Sequence, residues 1–293
     1  MDEHGDLSGI GDFLRSRRAR IQPEEVGLPG HGRRRVPGLR REEVAQLAGV
    51  SVDYYIRLEQ GRGSGGTSRT NSGGVSDAVL DAVARVLRLD ETEQAYLRSV
   101  ARPARTRRRT DGAGPGQRVR PGLRLLLDTI EKAPAFVLGR RMDVLAWNAL
   151  GDAVVGFSAM APEERNMPRQ VFLNPAAREL YPEWRAVAAE TVAHLRLDAG
   201  LHPRDPQLAV LVGELSLGSE EFRRLWADHQ VKEKTHGAKR LLHPVVGELV
   251  MPYETLSVSG EQDQVLVVYT PQPGSPTEER LRVLASWAAD RVS

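Results

Sequence analysis

Residues Arg41 to Arg62, REEVAQLAGVSVDYYIRLEQGR, constrain the fold more than any other stretch of the chain. Val44, Leu47 and Ala48 fall on one face at helical spacing. Ala45 is small enough to let a second helix approach closely. Gly49 supplies the positive φ of a sharp helix-to-helix turn. Val50 plugs the corner, and Ser51 caps the next helix through its side-chain oxygen. That helix spans about Val52 to Gln60, buries Tyr55 and Leu58, and ends at the C-capping Gly61. The pattern predicts a DNA-binding helix-turn-helix.

Charge is distributed to match. Residues 1–120 hold 22 arginines, no lysine and 16 acidic side chains; residues 121–293 hold 19 basic against 23 acidic. The front is therefore +6 and the rear −4, which gives the net +2. A basic front and an acidic rear predict one module for a polyanion and another for a different partner. With no cysteine, disulfides, thiolate chemistry and Cys-containing zinc sites are excluded. No run approaches 18 apolar residues, and MDEHGDLSG lacks the order of a secretion signal, so a soluble cytoplasmic protein without membrane contact is expected.

An N-terminal all-α domain of about five helices is expected over residues 8–102. Its first helix, residues 8–20, turns Ile10, Phe13 and Leu14 inward and arginines outward. A loop carrying Arg33, Arg34 and Arg35 follows. The Gly/Ser/Thr-rich run after Gly61 reads as a surface loop, and helices resume over about 76–89 and 91–101. Residues 103–122 form an Arg/Gly/Pro-rich linker able to touch phosphate.

The rear domain, residues 123–290, reads as α+β with an antiparallel sheet. A helix over 123–132 precedes a hairpin of strands 135–138 and 143–146. Helical patterns span 148–156, 175–199, 205–217 and 219–230. Strands are predicted over 243–250, 254–258 and 264–269, the last, QVLVVY, suited to a buried central position. A final helix covers 277–290.

At the DNA face, Val52, Asp53, Ile56 and Arg57 lie opposite the Tyr55/Leu58 stripe, with Ser51 at the helix start and Arg62 beyond its end. Arg57 suits guanine or a phosphate. Asp53 either pairs with Arg57 four residues on or accepts from cytosine; the pairing is the preferred expectation. Tyr54 offers a phosphate contact or simple packing, while Arg40 and Arg41 suit backbone phosphates. In the rear domain, Trp147 either lines a pocket or fills the core, and Asn148 beside it suits a polar head group. Arg165, next to Asn166, suits a ligand carboxylate. His229, His236 and His243 recur every seven residues, but Gly237 and Pro244 interrupt a continuous helix, so no metal site is expected. Neither a nucleophile elbow nor a phosphate loop occurs, so catalytic residues and cofactors are not expected.

The front resembles XRE-type helix-turn-helix regulators. With the strings PAFVLGRRMDVLAWN, EERN, VFLNPAARELYPEW, DPQLAVLVGELSLGSEEFRRLW, KRLLHPVVGELVMPYETL and QVLVVYTPQPGSP, residues 8–290 resemble the MmyB-like regulators of actinobacteria. The resemblance implies a PAS-like rear domain that holds a fatty-acid-like ligand, with Trp226, His229, Lys239 and Tyr253 as further ligand residues. It also implies control of secondary metabolism or of neighbouring oxidoreductase genes. Double-stranded DNA and a small amphipathic ligand are thus the expected partners, with the chain a homodimer. The alternative is a rear domain that serves dimerisation or protein contacts without a ligand. Two positions depart from the family: a Gly/Ser/Thr insertion replaces the short Pro-Ser loop after LEQGR, and Gly156 precedes Phe157 directly where Gly-Asp-Phe is usual.

Overall fold

A computed structural model describes residues 10–29, 38–60, 75–101, 117–202, 205–228, 236–261 and 263–290. Two compact units divide the chain. The first is drawn from Met1–Arg109, Arg196–Asp205 and Trp226–Lys232; the second from Thr110–Leu195, Pro206–Leu225 and Glu233–Ser293.

The first unit contains α1 (Ile10–Arg20), α2 (Arg41–Ala48), α3 (Val52–Glu59), α4 (Asp77–Val86) and α5 (Glu91–Ala101), with a 3-10 turn at Pro23–Val26. Ile10, Phe13, Leu14, Val44, Ala45, Tyr55, Leu58, Leu80, Val83 and Leu97 share one core. Between α2 and α3 the chain turns at Gly49, whose φ of 68° is costly for any residue with a Cβ. Ser51 caps α3 by accepting from the Tyr54 N–H at 3.2 Å. Two expectations are corrected. Arg17 and Arg18 on α1 are buried, not solvent-facing. Arg17 pairs with Glu93 at 2.7 Å and Arg18 with Glu59 at 3.3 Å, which is how buried cations are tolerated. Leu47 is exposed rather than core; Val44 and Ala45 are the residues that α2 buries. Arg33 to Arg35, Gly61, Arg62 and the insertion after it lie outside the described residues.

The second unit follows the order α6 (Pro121–Thr129), β1 (Ala135–Leu138), β2 (Val144–Trp147), α7 (Ala149–Val155), α8 (Met167–Phe172), α9 (Ala177–Leu180), α10 (Trp184–Leu201), α11 (Pro206–Gly218), α12 (Glu220–Ala227), β3 (His236–His243), β4 (Gly247–Ser257), β5 (Val265–Tyr269) and α13 (Pro276–Asp290). The residues of α10 beyond Leu195 and of α12 beyond Leu225 belong to the first unit. All strand pairs are antiparallel, in the order β2-β1-β5-β4-β3. β5 is therefore central, as its apolar run requires.

Period-two alternation gives the sheet two buried faces. Ala135, Val137, Ala146 and Leu266 pack with Leu123 and Leu127 of α6. Phe136, Leu138, Leu241, Leu249, Met251, Tyr253, Val267 and Tyr269 point the other way, into a core shared with α7, α8, Trp184 and Leu281. The second face carries the residues of interest.

Several elements differ from the sequence expectation. The strand expected at 243–250 straddles a hairpin turn, for His243 pairs with Gly247. The true edge strand starts at His236, where the alternation runs through Lys239 and His243 and so is not apolar. The helix expected at 175–199 is broken at Pro182 into α9 and α10, since proline cannot continue the helical ladder. The short helix α8, capped by Asn166, was not anticipated.

Candidate functional site

In the first unit, the surface of α3 is set by what locks the helix from behind. Glu59, at its last turn, is buried and faces three arginines from two other helices: Arg18 at 3.3 Å, Arg41 at 2.9 Å and Arg15 at 3.9 Å. This cluster ties α1, α2 and α3 together. Arg41, expected at a phosphate, is thereby held by an internal partner. Burial pushes the Tyr55 phenol well above its ordinary value, which keeps it neutral inside the core. Arg40 remains exposed, with its N–H donating to Glu43 at 2.6 Å.

On the opposite side, Ser51, Val52, Asp53 and Arg57 are exposed and Tyr54 half-buried. Asp53 and Arg57 do not form the preferred ion pair. The Arg57 guanidinium lies over the Tyr54 ring instead, 6.0 Å from its centroid, a cation–π placement. The outward face thus offers an apolar side chain, a carboxylate and a guanidinium on one helix.

In the second unit, the two asparagines are structural. Asn148 caps α7: its Oδ1 accepts from Gly151 at 2.7 Å and Ala135 at 2.9 Å, and its Nδ2 donates to Ile130 at 2.6 Å and Ala133 at 2.8 Å. All four valences of the amide are used, so no capacity is left to orient a head group. Asn166 caps α8 at 3.0 Å through Arg169 N–H and donates to the Arg141 carbonyl and to Asp143 at 2.9 and 2.8 Å. It pins the turn where Arg141 and Met142 take positive φ. Arg165 donates to the Phe157 carbonyl at 3.0 Å and stacks on Trp147 at 5.1 Å.

Trp147 is half-buried and begins an aromatic band across the sheet. It lies 5.4 Å from Phe157, which lies 5.3 Å from Phe136. Tyr269 follows at 6.0 Å from Phe136, and Tyr253 at 6.1 Å from Tyr269. Beyond the band, on β3, the buried Lys239 sets its Nζ 5.6 Å from the Tyr181 ring centroid. Gly237 on β3 makes room for this end of the band: a Cβ there would stand 2.8 Å from the Tyr253 hydroxyl. Burial pushes the Tyr181 and Tyr253 phenols up to about 12 and lifts the Tyr269 phenol well above its ordinary value. They are hydroxyl donors at neutral pH. An open groove runs along Arg178 to Ala186 with Tyr181 in its wall and Arg178 stacked on Trp184.

Of the expected ligand residues, Trp147, Lys239 and Tyr253 share the sheet face, and Arg165 joins them through Trp147. Trp226 belongs to the first unit, where Arg196 stacks on its ring at 4.1 Å and donates to its carbonyl. His229 lies outside the described residues. Sequence reasoning missed Tyr181, Tyr269 and Phe157; the alternation of β5 through Val267 to Tyr269 carried the signal for Tyr269, whereas Tyr181 and Phe157 lie outside the strands. His243 serves the hairpin turn, its Nδ1 accepting from Val245 at 3.2 Å. Among the described residues no group of three His, Asp or Glu side chains is placed to hold a metal, and no helix is long and apolar enough to cross a membrane.

Comparison with known families gives two matches. Residues 119–284 match the MmyB-like transcription regulator ligand binding domain, and residues 10–97 match a helix-turn-helix domain. No curated protein matches the chain.

Proposed function

The chain belongs to the MmyB-like transcription regulators, and on that premise we propose that it is a sequence-specific regulator controlled by an amphipathic, fatty-acid-like carboxylate. DNA binding through the helix-turn-helix and a ligand-binding rear domain follow from the two family matches. The finer reading is supported by one observation above all: Lys239 is a buried cation on the sheet face, beside neutral phenols and at the end of an aromatic band. The Lys239 ammonium carries three donors and each neutral phenol one, a set that suits an anionic head, and the band is complementary to a tail buried at about 0.8 kcal/mol per CH₂. Homodimeric action in the cytoplasm, on secondary metabolism or neighbouring oxidoreductase genes, completes the proposal. Ligand shifts the regulator only by binding its DNA-competent and incompetent arrangements unequally.

The test is calorimetry of the delipidated full chain against straight-chain acids of graded length and the matching alcohols. Affinity should rise with chain length, and the acids should bind more tightly than the alcohols. Affinity independent of length, or absent, refutes the reading. The protein-interaction alternative would then lead, favoured by the outer face of α11, where Val210 and Leu217 are exposed.

A further inference from the structure

Asp53 is out of place on a surface that meets a polyanion. It is the second residue of α3, exposed, and free of the ion pair with Arg57 that would have neutralised it. Arg57 leans on Tyr54. A carboxylate beside phosphates weakens binding, so its place on this face calls for a donor on the DNA. A first-turn acid also suits the helix dipole, but that role is indifferent to base sequence.

Major-groove edges present two donors only, the N4 amino group of cytosine and the N6 amino group of adenine. A carboxylate accepts and does not donate. Adenine N6 stands next to N7, an acceptor that repels the second carboxylate oxygen, whereas cytosine N4 is flanked on its own ring by a C–H. Guanine and thymine offer acceptors at O6, N7 and O4. Resting on the DNA-reading role proposed above, we infer that Asp53 is a specificity-determining residue that demands cytosine at one operator position. Arg57, four residues on and on the same face, takes guanine within the same half-site.

The experiment is selection from a random duplex library by the full-length protein and by Asp53→Asn and Asp53→Ala, with circular dichroism to verify folding. The wild type should fix cytosine at one position, and replacing that base should cost about 5- to 150-fold in affinity. Asp53→Asn should move the preference at that position alone to adenine, since a carboxamide both donates and accepts across N6 and N7. Asp53→Ala should lose preference there while binding random DNA as tightly as the wild type or more tightly, having shed a negative charge. The same base preferred by all three proteins overturns the inference, even if the variants melt at a different temperature. No preferred site for the wild type overturns the sequence-reading role itself.

Discussion

Replacing Asn148 with alanine separates a structural amide from a ligand-binding one. Four hydrogen bonds disappear together. Loss of the α7 cap costs about 1 kcal/mol. Ala135 is fully buried, so its orphaned N–H costs about 2 kcal/mol, and the half-buried carbonyls of Ile130 and Ala133 about 1 kcal/mol more. The expected destabilisation is about 4 kcal/mol, or roughly 8–16 °C for a domain of this size. Asn148→Ser retains a capping oxygen and should recover about 1 kcal/mol. Urea unfolding of the full chain, followed by tryptophan fluorescence, reads both, because Trp147 adjoins the mutated residue. An Asn148→Ala protein that unfolds within about 1 kcal/mol of wild type, yet loses ligand, would show that the amide serves the ligand and refute the reasoning.

Glu59→Gln should destabilise the helix-turn-helix unit by about 3–5 kcal/mol, because it leaves the nearly buried Arg18 without its counter-charge; thermal melting by circular dichroism checks this. Burial holds the His243 imidazole below its usual 6.5, against the opposing pull of the Ala153 carbonyl. The unfolded chain therefore takes up the proton first: stability is complete above about pH 6.5 and declines as pH falls through the folded value. His243→Gln should flatten that acid limb in pH-dependent urea titrations. Arg57→Ala should cost about 1–3 kcal/mol at the selected operator and much less on random DNA; equal losses in a gel-shift comparison would make Arg57 a phosphate contact.

The helix-turn-helix was legible because its determinants are local. Gly49, Ser51 and the Tyr55/Leu58 spacing specify a turn, a cap and a stripe within about twenty residues, and the QVLVVY run announces a strand buried on both faces. Such signals survive without knowledge of the partner. The sheet edge was not legible: β3 turns Lys239 and His243 inward alongside Leu241, so hydropathy shows no alternation there, and the strand was expected seven residues late. The burial of Arg17 and Arg18 depends on Glu93 and Glu59, distant in sequence. Asn148 and Asn166 read as ligand groups until their backbone partners were visible. Apolar periodicity is written along the chain; whether a polar side chain is buried, paired or outward depends on which distant groups the fold brings to it, and only the tertiary structure decides that.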